Sequence, residues 1–514
     1  MTIKRLILSA LTFVAIVLIG TSLAQSWNEP QVQSRLELCQ ANLILHAAEW
    51  NGSESGGGNP SALFGGSTEA AIEQYQELRD SAQKNLSKAK NRLQQAQPTP
   101  GITPEELPQR ELQQQELRRS VEQLTQLQTE LDLRLGILQA HQNKPAAAVK
   151  TWQDMLDRPG QPTTLVKTAE TLIGLWSNPA QLLPNAEVQL KGQLDGWFRY
   201  QALSQLYQLQ ERQQALVALQ ATEQTVAQQA AGKLAIVSTI PLLGGLAGVV
   251  LLLVLLVQFA IQRDTALLAI HSDTKWSVPW DGETIWQVVL GFFLVGQILL
   301  PLVFSVVFQS LRLNPAALGE RGQGYYVLAS YALLSMGGLG VLYTSIAPFF
   351  PLPKLEWFNL NWRSRWWLWG LGGYLVALPL VILVSWVNQQ LWQGQGGSNP
   401  ILQIALEGKD PVALAIFCFT ASIAAPLYEE VMFRGFLLPS LTRYLPVWGA
   451  IVLSGFVFAV AHLNVSEILP LAVLGIVMGF VYTRSRSLLA SMLLHSLWNS
   501  GTLLSLFLLG RGSN

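Results

Sequence analysis

The second half of the chain is a succession of apolar runs, each about long enough to cross a bilayer, and no other feature limits the fold as strongly. The runs fall roughly at 234–262, 285–310, 325–349, 366–389, 411–442, 446–463, 467–483 and 488–510. A hydrocarbon core needs about 20 predominantly apolar residues per helical crossing. The expected fold class is therefore all-α, a polytopic membrane bundle of about eight spans. The run at 411–442 is too long for one simple crossing, which implies a tilted helix, an interfacial end or a broken helix.

Charge divides the chain. Of 33 basic and 33 acidic side chains, 42 lie within residues 1–233 and 24 in the 281 positions that follow. Lys4 and Arg5 precede an apolar run from Leu6 to Gly20 and a small-residue stretch, so residues 1–25 read as a signal peptide or a membrane anchor. Residues 26–233 read as a soluble helical domain, with a flexible loop at Asn51–Ser67 and a Pro-rich break at Gln97–Pro104. Ala146, Ala180 and the Gln214–Ala215 pair, counted from Gln214, recur at 34-residue spacing, the period of tetratricopeptide hairpins. Most of the Gly and Tyr positions of such repeats are missing, so a repeat and an irregular bundle both fit. His46 and His141 have no partners at ligand spacing. The domain offers a surface for a protein partner and no chemical constellation. Residues 234–400 are assigned to the first membrane spans and 401–514 to the core that carries the polar groups.

The net charge is zero, so no basic field points to nucleic acid. Cys39 and Cys418 lie in different parts and form no disulfide framework. With residues 26–233 outside the cytoplasm, the inward loops collect Arg263, Lys275, Lys354, Arg363, Arg365, Arg443, Arg484 and Arg486. The outward ones hold Arg312, Arg321, Lys409 and Arg511, an asymmetry that follows the positive-inside rule. Trp276, Trp280, Trp286, Trp357, Trp362, Trp366, Trp367 and Trp369 cluster where loops meet spans and read as interfacial anchors.

Ionisable groups inside such spans are costly and mark function. Glu429, Glu430 and Arg434 follow an uncharged run, Val412 to Tyr428. Phe458 and His462 stand four apart, as do His495 and Asn499. Glu429 and His462 each lie sixteen residues from the Leu445–Pro446 junction. An antiparallel turn there puts both roughly 24 Å along their helices at 1.5 Å per residue. His495 and Asn499 share a helix face at a shallower depth, roughly 10 to 17 Å by the same rise. Glu-x-x-x-Arg alone is a common helix pair, a lone His in a span is more often a satisfied core residue, and Asn often only bonds a neighbouring helix.

Together and in order, Glu-Glu-x-x-x-Arg, Phe-x-x-x-His and His-x-x-x-Asn resemble the signature of the CPBP family, the type II CAAX prenyl proteases and bacteriocin-processing enzymes. The resemblance covers about the last third of the chain. It implies a glutamate-based intramembrane endopeptidase without a cofactor, acting on a membrane-embedded or lipidated protein. Glu429 would take a proton from water that His462 also holds, and His495 and Asn499 would donate to the oxyanion. Glu430 and Arg434 would pair in support, with Phe458 as packing. Two alternatives stand beside it. One is a zinc protease built on Glu429, His462 and His495, although no His-Glu-x-x-His helix is present. The other is a non-catalytic scaffold or transporter.

Overall fold

The computed structural model describes residues 2–27, 33–51, 68–96, 107–312, 318–350, 358–360, 362–392, 396–408 and 410–510. The expected loop at Asn51–Ser67, apart from Asn51, and the break at Gln97–Pro104 lie outside the described residues. No strand occurs among the described residues, and the chain forms two compact units. One comprises residues 1–33 and 239–510, the other residues 34–238.

The first helix, α1 (Ile3–Ser26), belongs to the former unit. The second unit is built from α2 (Gln33–Ala48), α3 (Thr68–Gln95), α4 (Leu107–His141), α5 (Pro145–Leu156), α6 (Thr163–Trp176), α7 (Ala186–Gln193) and α8 (Gly196–Leu209). The start of α9 (Gln213–Gln262) completes it. Sequence neighbours stack on one another from α3 to α8. Helix starts at Pro145 and Gln213 keep the 34-residue spacing over two periods, but Ala180 falls in a non-helical stretch. Fully buried Trp152, Trp197, Phe198 and Tyr75 fill the centre. Asp132 is buried yet paired, accepting from Arg79 at 2.9 Å and also from Arg158. His46 is satisfied by Glu223 at 2.5 Å, and His141 packs edge-on against Trp197.

The membrane unit continues through the rest of α9 to α10 (Gly282–Leu311), α11 (Glu320–Ile346), α12 (Trp366–Trp392), α13 (Pro400–Glu407), α14 (Pro411–Leu441), α15 (Val447–Val460), α16 (Ile468–Ser485) and α17 (Leu488–Gly510). Among the described residues, eight helices are long and apolar enough to cross a membrane, so this is a multi-pass integral membrane protein. The eight differ from those expected. They include α1, while the run at 446–463 yields only α15, whose 14 residues cover about 21 Å.

The tryptophans also depart from expectation. Trp362 and Trp367 are exposed as anchors should be, whereas Trp276 and Trp280 are buried, and Trp357 lies outside the described residues. Trp280 donates its indole N–H to Ser440 at 2.7 Å, and Trp276 stacks on Tyr482. An interface residue needs one wet edge; these two instead spend their polar edges or faces on protein. Helices α15 and α16 cross where Gly455 meets Gly475. A Cβ on Gly475 would fall 2.8 Å from the Gly455 Cα, so only glycine permits that approach.

Candidate active site

Helix α14 is regular only in pieces. π-Helical turns at Thr420–Ala424 and Val431–Leu437 bracket the α-helical Ala425–Glu430 that carries both carboxylates. A third π-helical stretch, Val295–Leu299, interrupts α10. Each of the three stops within two residues of a proline: Pro426, Pro439 and Pro301. Proline has no N–H to donate and its ring crowds the carbonyl four residues back, so the preceding turn widens. The expected break in the long run at 411–442 therefore has a cause legible in the sequence.

Glu430 and Arg434 are both fully buried and pair at 2.7 Å. The guanidinium also donates from Nη2 to the Gly475 carbonyl at 3.0 Å and lies over the Phe458 ring, 4.6 Å from its centroid. An ion pair without water holds only when further hydrogen bonds help to satisfy it. His495 supplies one, its Nδ1 standing 3.0 Å from the same Glu430 Oε1. A carboxylate in an ion pair only accepts, so Nδ1 carries the proton and Nε2 is left facing the neighbouring carboxylate. That nitrogen is 3.8 Å from Glu429 Oε2.

Glu429 is 15% exposed and held on its other side. Its Oε1 accepts the Tyr331 hydroxyl from α11 at 2.7 Å, while Oε2 is buried with no hydrogen-bond partner. Tyr331 was not expected from the sequence. The only signal was one more hydroxyl in an apolar span, and nothing local distinguishes it from an interface tyrosine. Tyr428 packs edge-on against the Tyr331 ring and is buried against Gly338.

The remaining expected residues occupy two further positions. Phe458 is a platform rather than mere filling: besides Arg434, its ring meets Phe433, His462 and His495 with centroids 5.3, 4.9 and 5.7 Å away. His462 follows the end of α15 and turns back, Nδ1 donating to the Phe458 carbonyl at 2.9 Å, which leaves Nε2 unbound. Asn499 donates from Nδ2 to the Ala421 carbonyl at 2.8 Å, pinning α17 to the first π-helical turn of α14. Thus Glu429, Glu430, Arg434 and His495 form one connected cluster, His462 joins it through Phe458, and Asn499 joins it through α14. Among the described residues, no hydrogen bond links Glu429 to His462, and no three His, Cys, Asp or Glu side chains are grouped to hold a metal ion.

Residues 411–501 match the family described as type II CAAX prenyl endopeptidase, Rce1-like. The matched segment holds every expected site residue, from Glu429 to Asn499, and excludes Tyr331. A relative from Bacillus subtilis (strain 168), named "Putative membrane peptidase YdiL", is 23% identical over 133 residues. The alignment takes in 26% of this chain and 53% of the relative, so the chain spans about half the length of that curated protein. No solved structure matches.

Proposed function

We propose, from the premise that residues 411–501 form an Rce1-like domain, that the chain is an intramembrane endopeptidase whose general base is Glu429. One observation carries this reading. The carboxylate is fixed through Oε1 by Tyr331, while Oε2 is buried without a partner 3.8 Å from His495 Nε2. That separation is too long for a direct hydrogen bond, but both atoms can reach one water at the apex of a triangle.

The reaction then needs no covalent intermediate. The water oxygen attacks the scissile carbonyl carbon as its proton passes to Glu429. The tetrahedral oxyanion is assigned to His462 and to the second amide N–H of Asn499. The C–N bond breaks, and the proton held by Glu429 goes to the leaving amine. His495 takes the water-sharing role expected of His462, because His495 is the histidine beside Glu429. Glu430 and Arg434 act through His495 by holding its tautomer. No step passes through a metal.

The substrate class under this reading is a membrane-embedded or membrane-attached protein, a prenylated C-terminus being the one in the family's description. Comparing membrane proteomes of cells carrying the native chain and Glu429→Gln tests it. A set of proteins that are full-length only in the variant is the expected result. Identical profiles alongside retained partner binding would favour a scaffold.

A further inference from the structure

Helix α1 opens as a secretory signal would, with Lys4 and Arg5 ahead of an apolar run and Thr21-Ser22-Leu23-Ala24 behind it, and the same features suit a permanent span. Its contacts separate the two. The helix runs unbroken from Ile3 to Ser26. That is about 36 Å at 1.5 Å per residue, more than a hydrocarbon core of about 30 Å. A removable segment needs no partner in the protein that remains, whereas α1 is engaged at its beginning, middle and end.

At the beginning, Lys4 and Arg5 both pair with Glu283, in the first turn of α10, at 3.0 and 2.8 Å. In the middle, Trp286 donates its indole N–H to the Thr12 hydroxyl at 2.7 Å. Leu8 and Ala15 are buried there with Leu290, and Trp286 and Leu294 pack against them. Leu8, Thr12 and Ala15 are spaced by four and then three, so they form one stripe, turned to α10. Ile7, Phe13, Ile16 and Val17 are exposed, as lipid-facing side chains are.

The end of α1 reaches toward the site. Ser26 is buried, donates from its hydroxyl to the Leu23 carbonyl at 2.9 Å and accepts the Val465 N–H at 3.2 Å. Trp27 meets Trp392 edge-on, with centroids 4.9 Å apart. Val465 lies three residues past His462, in the segment that joins α15 to α16. That segment is costly to form. Leu463 has φ +61°, a left-handed backbone that a bulky side chain adopts only where its surroundings impose it.

Several separate bonds impose it. Asn464 donates to the His462 carbonyl at 3.1 Å and to Glu467 at 3.4 Å, and Glu467 accepts the Asn399 N–H at 2.8 Å. Ser466 donates from its N–H to the Gly396 carbonyl at 3.2 Å and from its hydroxyl to the Gly397 carbonyl at 2.6 Å. Asn388 donates to the Ser466 carbonyl at 2.6 Å. Ser26, Asn388, Gly396, Gly397 and Asn399 all precede residue 411, so this restraint comes from outside the Rce1-like match.

We infer that α1 is kept in the working protein as a span of the membrane unit, and that Ser26 is a positioning residue acting on His462 through the Val465 N–H. The second half rests on the reading of His462 as an oxyanion donor; the first does not. Without the Ser26 hydroxyl the Val465 N–H loses its acceptor and Leu463 loses a restraint, so the imidazole is held less closely where the oxyanion forms.

The full chain with a C-terminal tag, purified from cell membranes, tests both halves. Intact mass should include α1, and a product that begins after Ala24 overturns the inference. Ser26→Ala should lower kcat by about 2- to 10-fold, the worth of one ordinary hydrogen bond, with KM and yield unchanged. Ser26→Thr, which keeps the hydroxyl, should restore the native rate. Hydrogen exchange over residues 463–466 should quicken in Ser26→Ala and not in Ser26→Thr, a readout that needs no turnover. Unchanged kcat or unchanged exchange in Ser26→Ala, or an equal loss in Ser26→Thr, overturns the positioning role. Full activity in Glu429→Gln would instead sink the protease reading, while mass and exchange still decide the place of α1.

Discussion

The hydroxyl of Tyr331 donates to Glu429 Oε1 at 2.7 Å, joining α11 to α14 across 98 residues of sequence. The bond fixes which carboxylate oxygen is left for chemistry. Hydrogen bonds to charged groups contribute about 1.5–3 kcal/mol. Tyr331→Phe should therefore lower kcat by about 10- to 100-fold, with abundance and detergent-extracted monodispersity unchanged. Full activity in Tyr331→Phe would remove this residue from the account.

The buried pair gives a prediction about assembly. Removing one member of a desolvated ion pair costs about 3–5 kcal/mol, while replacing both by neutral groups can be harmless. Arg434→Ala should deplete folded protein, leaving Glu430 uncompensated. Glu430→Gln with Arg434→Met should restore folded protein but not activity, because His495 loses its carboxylate partner. Equal yields for the single and double variants, by fluorescence-detected size exclusion, would show that the pair is not what holds the site.

His495 and Asn499 should separate by severity. His495→Ala removes a group touching Glu430 and standing beside Glu429, and should cost about 10²–10⁴-fold in rate. Asn499→Ala leaves the other oxyanion donor in place and should cost less, as measured by kcat on a fixed peptide substrate. The reverse order would exchange their importance.

In the unit of residues 34–238, Glu187 accepts from Lys191 at 2.7 Å, Tyr207 at 2.8 Å and Arg212 at 2.7 Å. These bonds, led by Lys191, lower its carboxyl from an ordinary 4.5 to about 2. A depressed carboxylate stabilises the fold fully above its unfolded value, and that contribution is lost as pH falls through the folded one. Hydrogen exchange over α7 and α8 in the full chain should quicken between about pH 4.5 and 2, and Glu187→Gln should flatten that acid limb. An unchanged profile in the variant would show the cluster to be without effect on stability.

Much of the membrane unit was legible because lipid enforces span length and makes each buried charge conspicuous. Glu429, Glu430, Arg434 and His495 stand out for that reason, and they do meet. Position along a helix carried less. Equal spacing about Leu445–Pro446 suggested that His462 would share depth with Glu429, but two π-helical turns shift the register of α14, and His462 turns back onto Phe458. Trp276 and Trp280 were misread because a tryptophan near a loop looks the same whether it meets lipid headgroups or a folded loop. Tyr331 was invisible, since its role depends on a contact 98 residues away.

The central claim is that Glu429 is the base, and one assay bears on it most directly. Purified, detergent-solubilised native chain and Glu429→Gln are compared on a quenched peptide or membrane-protein substrate, with and without a chelator. The substitution keeps the shape of the side chain and removes its ability to take a proton, so cleavage should fall by about 10²–10⁴-fold while fold and substrate binding persist. Native activity should survive the chelator. Full activity in Glu429→Gln, or native activity lost to the chelator and restored by zinc, would contradict the account.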